Sequence, residues 1–238
     1  QKIKHHLYGF RSVKKNFSTG AWLKLANRKI KQIQKKNKVP ILVGGTGLYF
    51  KSLTDGLVKI PNIPIKFRNK IRLMQKKYGQ KKFYKKLLKI DPKVKDKIDS
   101  NDSQRSIRAY EIKSYSKKSM YDWLAQTKSS FKENEFLKLY INFDREELIE
   151  RIEQRTTKMI KSGAIKEVKK IRNLKFSNQS SVNKVIGIQE LSNFLEKKIK
   201  IEEAKELISI RTRQYAKRQA TWARSKMVTW NKVDPKNF

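Results

Sequence analysis

Residues 39–57 read VPILVGGTGLYFKSLTDGL. The apolar run Ile41, Leu42, Val43 gives way to three glycines in four positions, Gly44, Gly45 and Gly47, around Thr46. A short unbroken apolar run reads as a fully buried, parallel strand, here feeding a strand-to-helix loop. Glycines in such a loop let backbone N–H groups approach a phosphate. Yet the lysine and Ser/Thr that complete a phosphate-binding P-loop do not follow, because Lys51 stands behind Leu48, Tyr49 and Phe50. The stretch reads as one wall of a phosphate site or as an ordinary tight turn, and spacing alone leaves both open.

Upstream, residues 18–36 place Trp22, Leu25, Ala26, Ile30 and Ile33 on one helical face, with Ser18 or Thr19 as cap. Helix, buried strand, glycine loop and the apolar LYF follow one another as in an α/β layer. Pro61 and Pro64 then mark a link, after which Phe67, Ile71, Met74 and Tyr78 begin a helical stripe. From 66 to 126 the chain reads as short basic helices, broken at Gly79, at Asp91-Pro92 and around Ser100-Asn101-Asp102. The strand pattern returns in FLKLYINFD, 136–144, whose Asp144 makes a capping box with Glu147 for a helix carrying Leu148, Ile152 and Met159. A helix over 202–219 and a final strand in KMVTWNKV close the chain. The expected architecture is an α/β core, 1–60 and 131–238, with a helical insertion at 61–130.

Charge narrows the partners. Lys and Arg number 59 against 21 Asp and Glu, formally +38. A lysine-biased composition alone would leave a basic surface, but a field of this size attracts polyanions, with RNA or DNA the default. With no cysteine, disulfides and thiolate metal sites are excluded. The two histidines, His5 and His6, are adjacent and poorly placed to share a zinc ion. No apolar run approaches the ~20 residues that span a bilayer, so a soluble, cytoplasmic protein is expected. The opening QKIKHHLYGF reads like the middle of a longer protein.

Three further stretches carry chemistry. In NDSQRSIRAYEI, 101–112, Arg105 and Arg108 share a helix face with Gln104, while Ile107 and Ile112 face inward. Amide plus guanidinium suits base edges and phosphates, although a solvated helix face has the same composition. In RTRQYAKRQATWAR, 211–224, five cations interleave with Gln214, Gln219, Tyr215 and Trp222, the mixture that holds single-stranded RNA, although the aromatics, Trp222 above all, read equally as core. In RIEQRTTKMIKSGAIKEV, 151–168, Arg151 and Arg155 lie one turn apart on a helix that starts at a strand's end, where one of them could reach into a sheet-edge crevice.

In this order, HHLYGF, ILVGGTGLYFKSLTDGL, IKFRNKIR, NDSQRSIRAYEI, RIEQRTTKMIKSGAIKEV, VIGIQEL and TRQYAKRQATW resemble the tRNA dimethylallyltransferase family, and together they span nearly the whole chain. The resemblance implies a P-loop NTPase-like α/β core with a parallel sheet, carrying an inserted all-helical tRNA-binding domain. It implies transfer of a dimethylallyl group from dimethylallyl diphosphate to N6 of the adenine 3′ of the anticodon, in tRNAs reading codons that begin with U. A tRNA anticodon stem-loop and the prenyl donor are the implied partners, with Mg²⁺ accompanying the diphosphate and the protein acting as a monomer. In the family, the P-loop and a catalytic aspartate precede the segment resembling HHLYGF. Gly44, Gly45 and Gly47 then form the diphosphate-facing loop, and this chain alone is expected to be inert. Thr46 resembles the threonine that touches the adenine and the diphosphate, and Arg155 the arginine that stabilises the leaving group. Arg68, Gln104, Arg105, Ser106, Ile107 and Arg108 resemble tRNA contacts. So do Val182, Asn183, Lys184, Val185, Ile186 and Gly187, and Lys217, Arg218, Gln219, Ala220, Thr221, Trp222, Ala223 and Arg224. A non-catalytic RNA-binding protein and a P-loop small-molecule kinase are the competing readings.

Overall fold

The computed structural model describes residues 3–14, 17–174 and 181–237. In chain order the elements are α1 (Thr19–Gln34), α2 (Gly47–Thr54), α3 (Ile65–Ile90), α4 (Ser103–Ser116), α5 (Met120–Ala125), β1 (Leu139–Ile141), α6 (Arg145–Met159), α7 (Ile165–Arg172), α8 (Ile188–Leu195), α9 (Ile201–Lys226) and β2 (Asn231–Val233). Helix dominates, and the sheet among the described residues is one parallel pair, β1 on β2, with Tyr140 opposite Lys232. The residues divide into two compact units, 1–51 with 133–238, and 52–132. The sequence places the helical insertion at 61–130.

In the first unit, α1 starts where its cap predicts, the Ser18 hydroxyl accepting from Ala21 N. Asp144 caps α6 by accepting from the N–H groups of Glu146 and Glu147. These bonds favour the carboxylate and hold its pKa below the usual aspartate value. Only half of the expected capping box forms, because Glu147 turns to Arg151 at 2.9 Å instead. A π-helical stretch, Ile160–Ala164, links α6 to α7, and Gly163 within it takes φ 104°, a conformation that favours glycine. The core lies where α7, α8 and α9 meet, around Ala164, Val168, Leu191, Ala204 and Ile208. Helix α9 runs to Lys226, seven residues beyond the expected end at 219.

One expectation fails. Residues 41–45 form no strand, and Val39, Ile41 and Val43 are 83%, 79% and 80% exposed. A buried parallel strand exists only where neighbouring strands cover it, and the described sheet, β1 with β2, does not include this segment.

In the second unit α3 packs on α4, with Phe83 against Tyr110 at 5.1 Å and Phe67 edge-on to Tyr115 at 5.6 Å. Leu87, Val94, Ile98 and Ala109 make its core. Gly79, at φ 71°, interrupts α3 at the break that the sequence suggests.

Candidate functional site

The glycine loop takes its shape from a helix 174 residues further along the chain. Gln219 on α9 donates its side-chain N–H to the Gly45 carbonyl at 2.9 Å, and a Cβ on Gly45 would collide with that amide. A Cβ on Gly47 would run into the six-membered ring of Trp222. The close approach of α9 therefore accounts for Gly47, while at Gly45 the obstacle is the movable end of the Gln219 side chain. Gly44 differs: a Cβ there would meet only Phe50 Cζ, at 4.0 Å. Both Gly44 and Thr46 are exposed. Beyond the loop, Tyr49 stacks on Trp22 with centroids 4.3 Å apart, and Phe50 meets Trp230 edge-on at 5.4 Å. The loop thus offers a backbone and a hydroxyl from a braced base at the start of α2.

Helix α9 carries the cations beside that loop. Lys217, Arg218, Thr221 and Arg224 are exposed, Gln219, Ala220 and Trp222 are half-buried, and Ala223 is buried. Earlier on α9, Ser209 donates to the Thr156 hydroxyl of α6 at 3.3 Å, and Arg213 faces Glu153 at 3.9 Å, so the two helices run antiparallel. Arg155 sits beside this contact. Arg151 is committed to Glu147 and to the face of Phe143 at 4.7 Å, whereas Arg155 forms no ion pair among the described residues. Ser209 and Gln219 stand ten positions apart on α9, about 15 Å along the helix, and among the described residues no hydrogen bond or ion pair joins Arg155 to the glycine loop. A surface depression of about 640 Å³ is lined by Glu153, Gln154, Thr157, Lys158, Lys161 and Ser162, none of them a residue of the glycine loop.

The 182–187 segment is tied to α9 by a residue that the sequence reading did not single out. Glu190, 2% exposed, accepts from Gly187 N at 2.9 Å and meets Arg211 at 2.6 Å. Asn183, Lys184 and Val185 are exposed and Ile186 is half-buried, while Val182 and Gly187 are buried.

In the helical unit, Gln104 and Arg105 are exposed, with Arg105 3.5 Å from Asp102. Arg68 and Arg108 converge on one carboxylate, Glu111, at 3.3 and 3.1 Å. The sequence shows Glu111 as a helix-face residue, and its i, i+3 spacing from Arg108 is the signal that could have marked it. Ser106 is fully buried, its hydroxyl accepting from Gln80, and Ile107 is half-buried. Ser106, Val182, Gly187 and Ala223 are buried, so a contact with a ligand from these positions would run through backbone.

The glycine loop thus stands beside the cationic face of α9. The chain belongs to the IPP transferase family, whose model matches residues 1–226. It is 66% identical over 235 residues to the tRNA dimethylallyltransferase of Pelagibacter ubique (strain HTCC1062), covering 99% of this chain and 75% of that protein. The tRNA dimethylallyltransferase of Rickettsia massiliae (strain Mtu5) is 39% identical, with 95% and 62% covered. Among solved structures, the full-length tRNA isopentenylpyrophosphate transferase of Bacillus halodurans superposes with a TM-score of 0.62 at 29% identity, over 99% of this chain and 74% of that one. A eukaryotic dimethylallyltransferase acting on tRNA gives 0.76 at 25% identity, over 93% and 57%. None of these relatives is a kinase or a non-catalytic RNA-binding protein.

Proposed function

We propose that the chain carries most of a tRNA dimethylallyltransferase, which moves a dimethylallyl group from dimethylallyl diphosphate to N6 of the adenine 3′ of the anticodon, in tRNAs reading codons that begin with U. The family match supports this, and one observation carries it: Gly44 and Thr46 stand exposed on a loop whose other glycines are locked by Gln219 and Trp222.

In the reaction the N6 lone pair forms a bond to the allylic carbon. The carbon–oxygen bond to diphosphate breaks with its electrons on oxygen, and N6 gives up a proton. Groups aimed at the departing charge lower the barrier most. The Gly44 backbone and the Thr46 hydroxyl serve one side of the diphosphate, Thr46 also touching the adenine, and Arg155, which forms no ion pair among the described residues, stabilises the leaving group. Among the described residues no three His, Asp or Glu side chains gather into a metal cage. Mg²⁺ would accompany the diphosphate, and the exposed Thr46 hydroxyl is the loop oxygen that could hold it. So bound, it would neutralise part of the departing charge. The adenine must leave its stack to be alkylated. Lys217, Arg218, Thr221 and Arg224 on α9, and Gln104 and Arg105 on α4, grip the stem-loop around it.

The exposed row Val39, Ile41 and Val43 supports a finer reading of the fold. A P-loop strand, with the catalytic aspartate after it, pairs along this edge and completes a P-loop NTPase-like parallel sheet. It is supplied by residues preceding these in the whole protein, a monomer acting in the cytoplasm. The 238 residues alone then lack the base for N6. The test is transfer of a labelled dimethylallyl group to an anticodon stem-loop, with and without the upstream segment. Transfer is expected only with it. Robust transfer by the unextended chain would place the base within these residues and sink this assignment.

A further inference from the structure

Glu111 is 1% exposed yet is ringed by three guanidiniums, those of Arg68 at 3.3 Å, Arg108 at 3.1 Å and Arg72 at 3.9 Å. The arginine side chains are 35%, 40% and 46% exposed, so they cross from the buried carboxylate to solvent. Arg68 binds through Nε, and Arg72 turns Nε toward the same carboxylate. The Nε bond of Arg68 and the 3.9 Å ion pair of Arg72, too long for a hydrogen bond, leave the two terminal NH₂ groups of each guanidinium, four N–H donors, for another acceptor. Arg68 and Arg72 are one turn apart on α3, while Arg108 comes from α4. One carboxylate therefore registers cations from two helices, and the cluster keeps a net charge of +2, three arginines less one glutamate. Burying a carboxylate is costly unless it is paired and hydrogen-bonded. Surface cations on a chain at +38 need no such partner to stay charged or soluble.

We propose that Glu111 is a positioning residue that fixes Arg68, Arg72 and Arg108 as a preformed receptor for the phosphodiester backbone of a folded RNA. This rests on the tRNA reading above. Arg72 and Glu111 enter the RNA-binding surface as new members, Arg72 as a contact and Glu111 as the group beneath it. An arginine held by a carboxylate loses less side-chain freedom when it meets a phosphate, which is how preorganisation raises affinity.

Glu111→Gln separates this from plain electrostatics, because the two predict opposite signs. The variant removes a negative charge, so a merely charged surface binds RNA more tightly. A positioned receptor binds it more weakly. In full-length protein we expect the Kd for an anticodon stem-loop to rise about tenfold. The salt dependence should become shallower by about two phosphate contacts, each worth a slope of about 0.7–0.9. Glu111→Asp, which keeps the charge but withdraws it by one methylene, should lose less. Unchanged or tighter binding by a folded Glu111→Gln variant, judged by near-UV circular dichroism and Tm, overturns the proposal. So does a Gln variant that fails to fold, since the carboxylate would then be a strut of the unit. Wild-type protein that ignores the stem-loop would instead overturn the tRNA reading itself.

Discussion

Gly44, Gly45 and Gly47 stand within four residues but answer to different constraints. Gly45 and Gly47 have α9 pressed against them, whereas Gly44 faces open space. Gly47→Ala should lower stability by about 1–3 kcal/mol, the usual cost of overpacking, seen as a drop in Tm, whereas Gly45→Ala displaces only the movable amide end of Gln219 and should lower Tm less. Gly44→Ala should leave Tm unchanged, and a Gly44→Ala protein with full prenyl-transfer activity would remove Gly44 from the diphosphate site. Arg155→Ala, in the full-length enzyme, is expected to leave folding intact and lower turnover about a hundredfold, near 3 kcal/mol of transition-state stabilisation. Unchanged kinetics would return Arg155 to the solvated surface of α6.

Among the elements, α6 shows how a cap couples to pH. Its Asp144 has a folded-state pKa held down by the Glu146 and Glu147 N–H groups. A depressed carboxylate contributes stability that is present above the unfolded pKa, about 3.9, and is lost as pH falls through the lower folded value. Asn caps comparably without titrating. Asp144→Asn should therefore flatten the acid limb of a Tm-against-pH curve between about pH 5 and 2, and an unaltered limb would show that the cap charge is immaterial. The caps Ser18 and Asp144 were legible because their partners lie within three residues. Residues 41–45 were misread as a strand, because an apolar run records an appetite for neighbours and not their presence. The locking of Gly45 by Gln219 could not be read at all, since nothing local joins positions 174 residues apart. Glu111 was half visible through Arg108, but Arg68 and Arg72 reach it only because α3 folds onto α4.

For the whole molecule, charge is the property that composition stated outright. At +38 the chain should bind RNA with an affinity that falls steeply as salt rises, by a slope of about 0.7 for each single-stranded phosphate neutralised. Titration of an anticodon stem-loop against a duplex of equal length, at several salt concentrations, measures both the slope and the selectivity. A flat salt response, or equal affinity for the duplex, would count against a dedicated reader of the anticodon loop. Among the described residues no helix is long and apolar enough to cross a membrane.

The bond between Gln219 and Gly45 also sets a clock. A ribosome adds about 5–20 residues each second, so the 174 residues that separate the two take roughly 10–35 s to emerge. Throughout that interval the glycine loop is outside the ribosome without the helix that shapes it, while the helical unit at 52–132, built from contacts close in sequence, has everything it needs to fold. A nascent chain could thus present its arginine cluster before its glycine loop has form, and the loop would wait on the synthesis of α9.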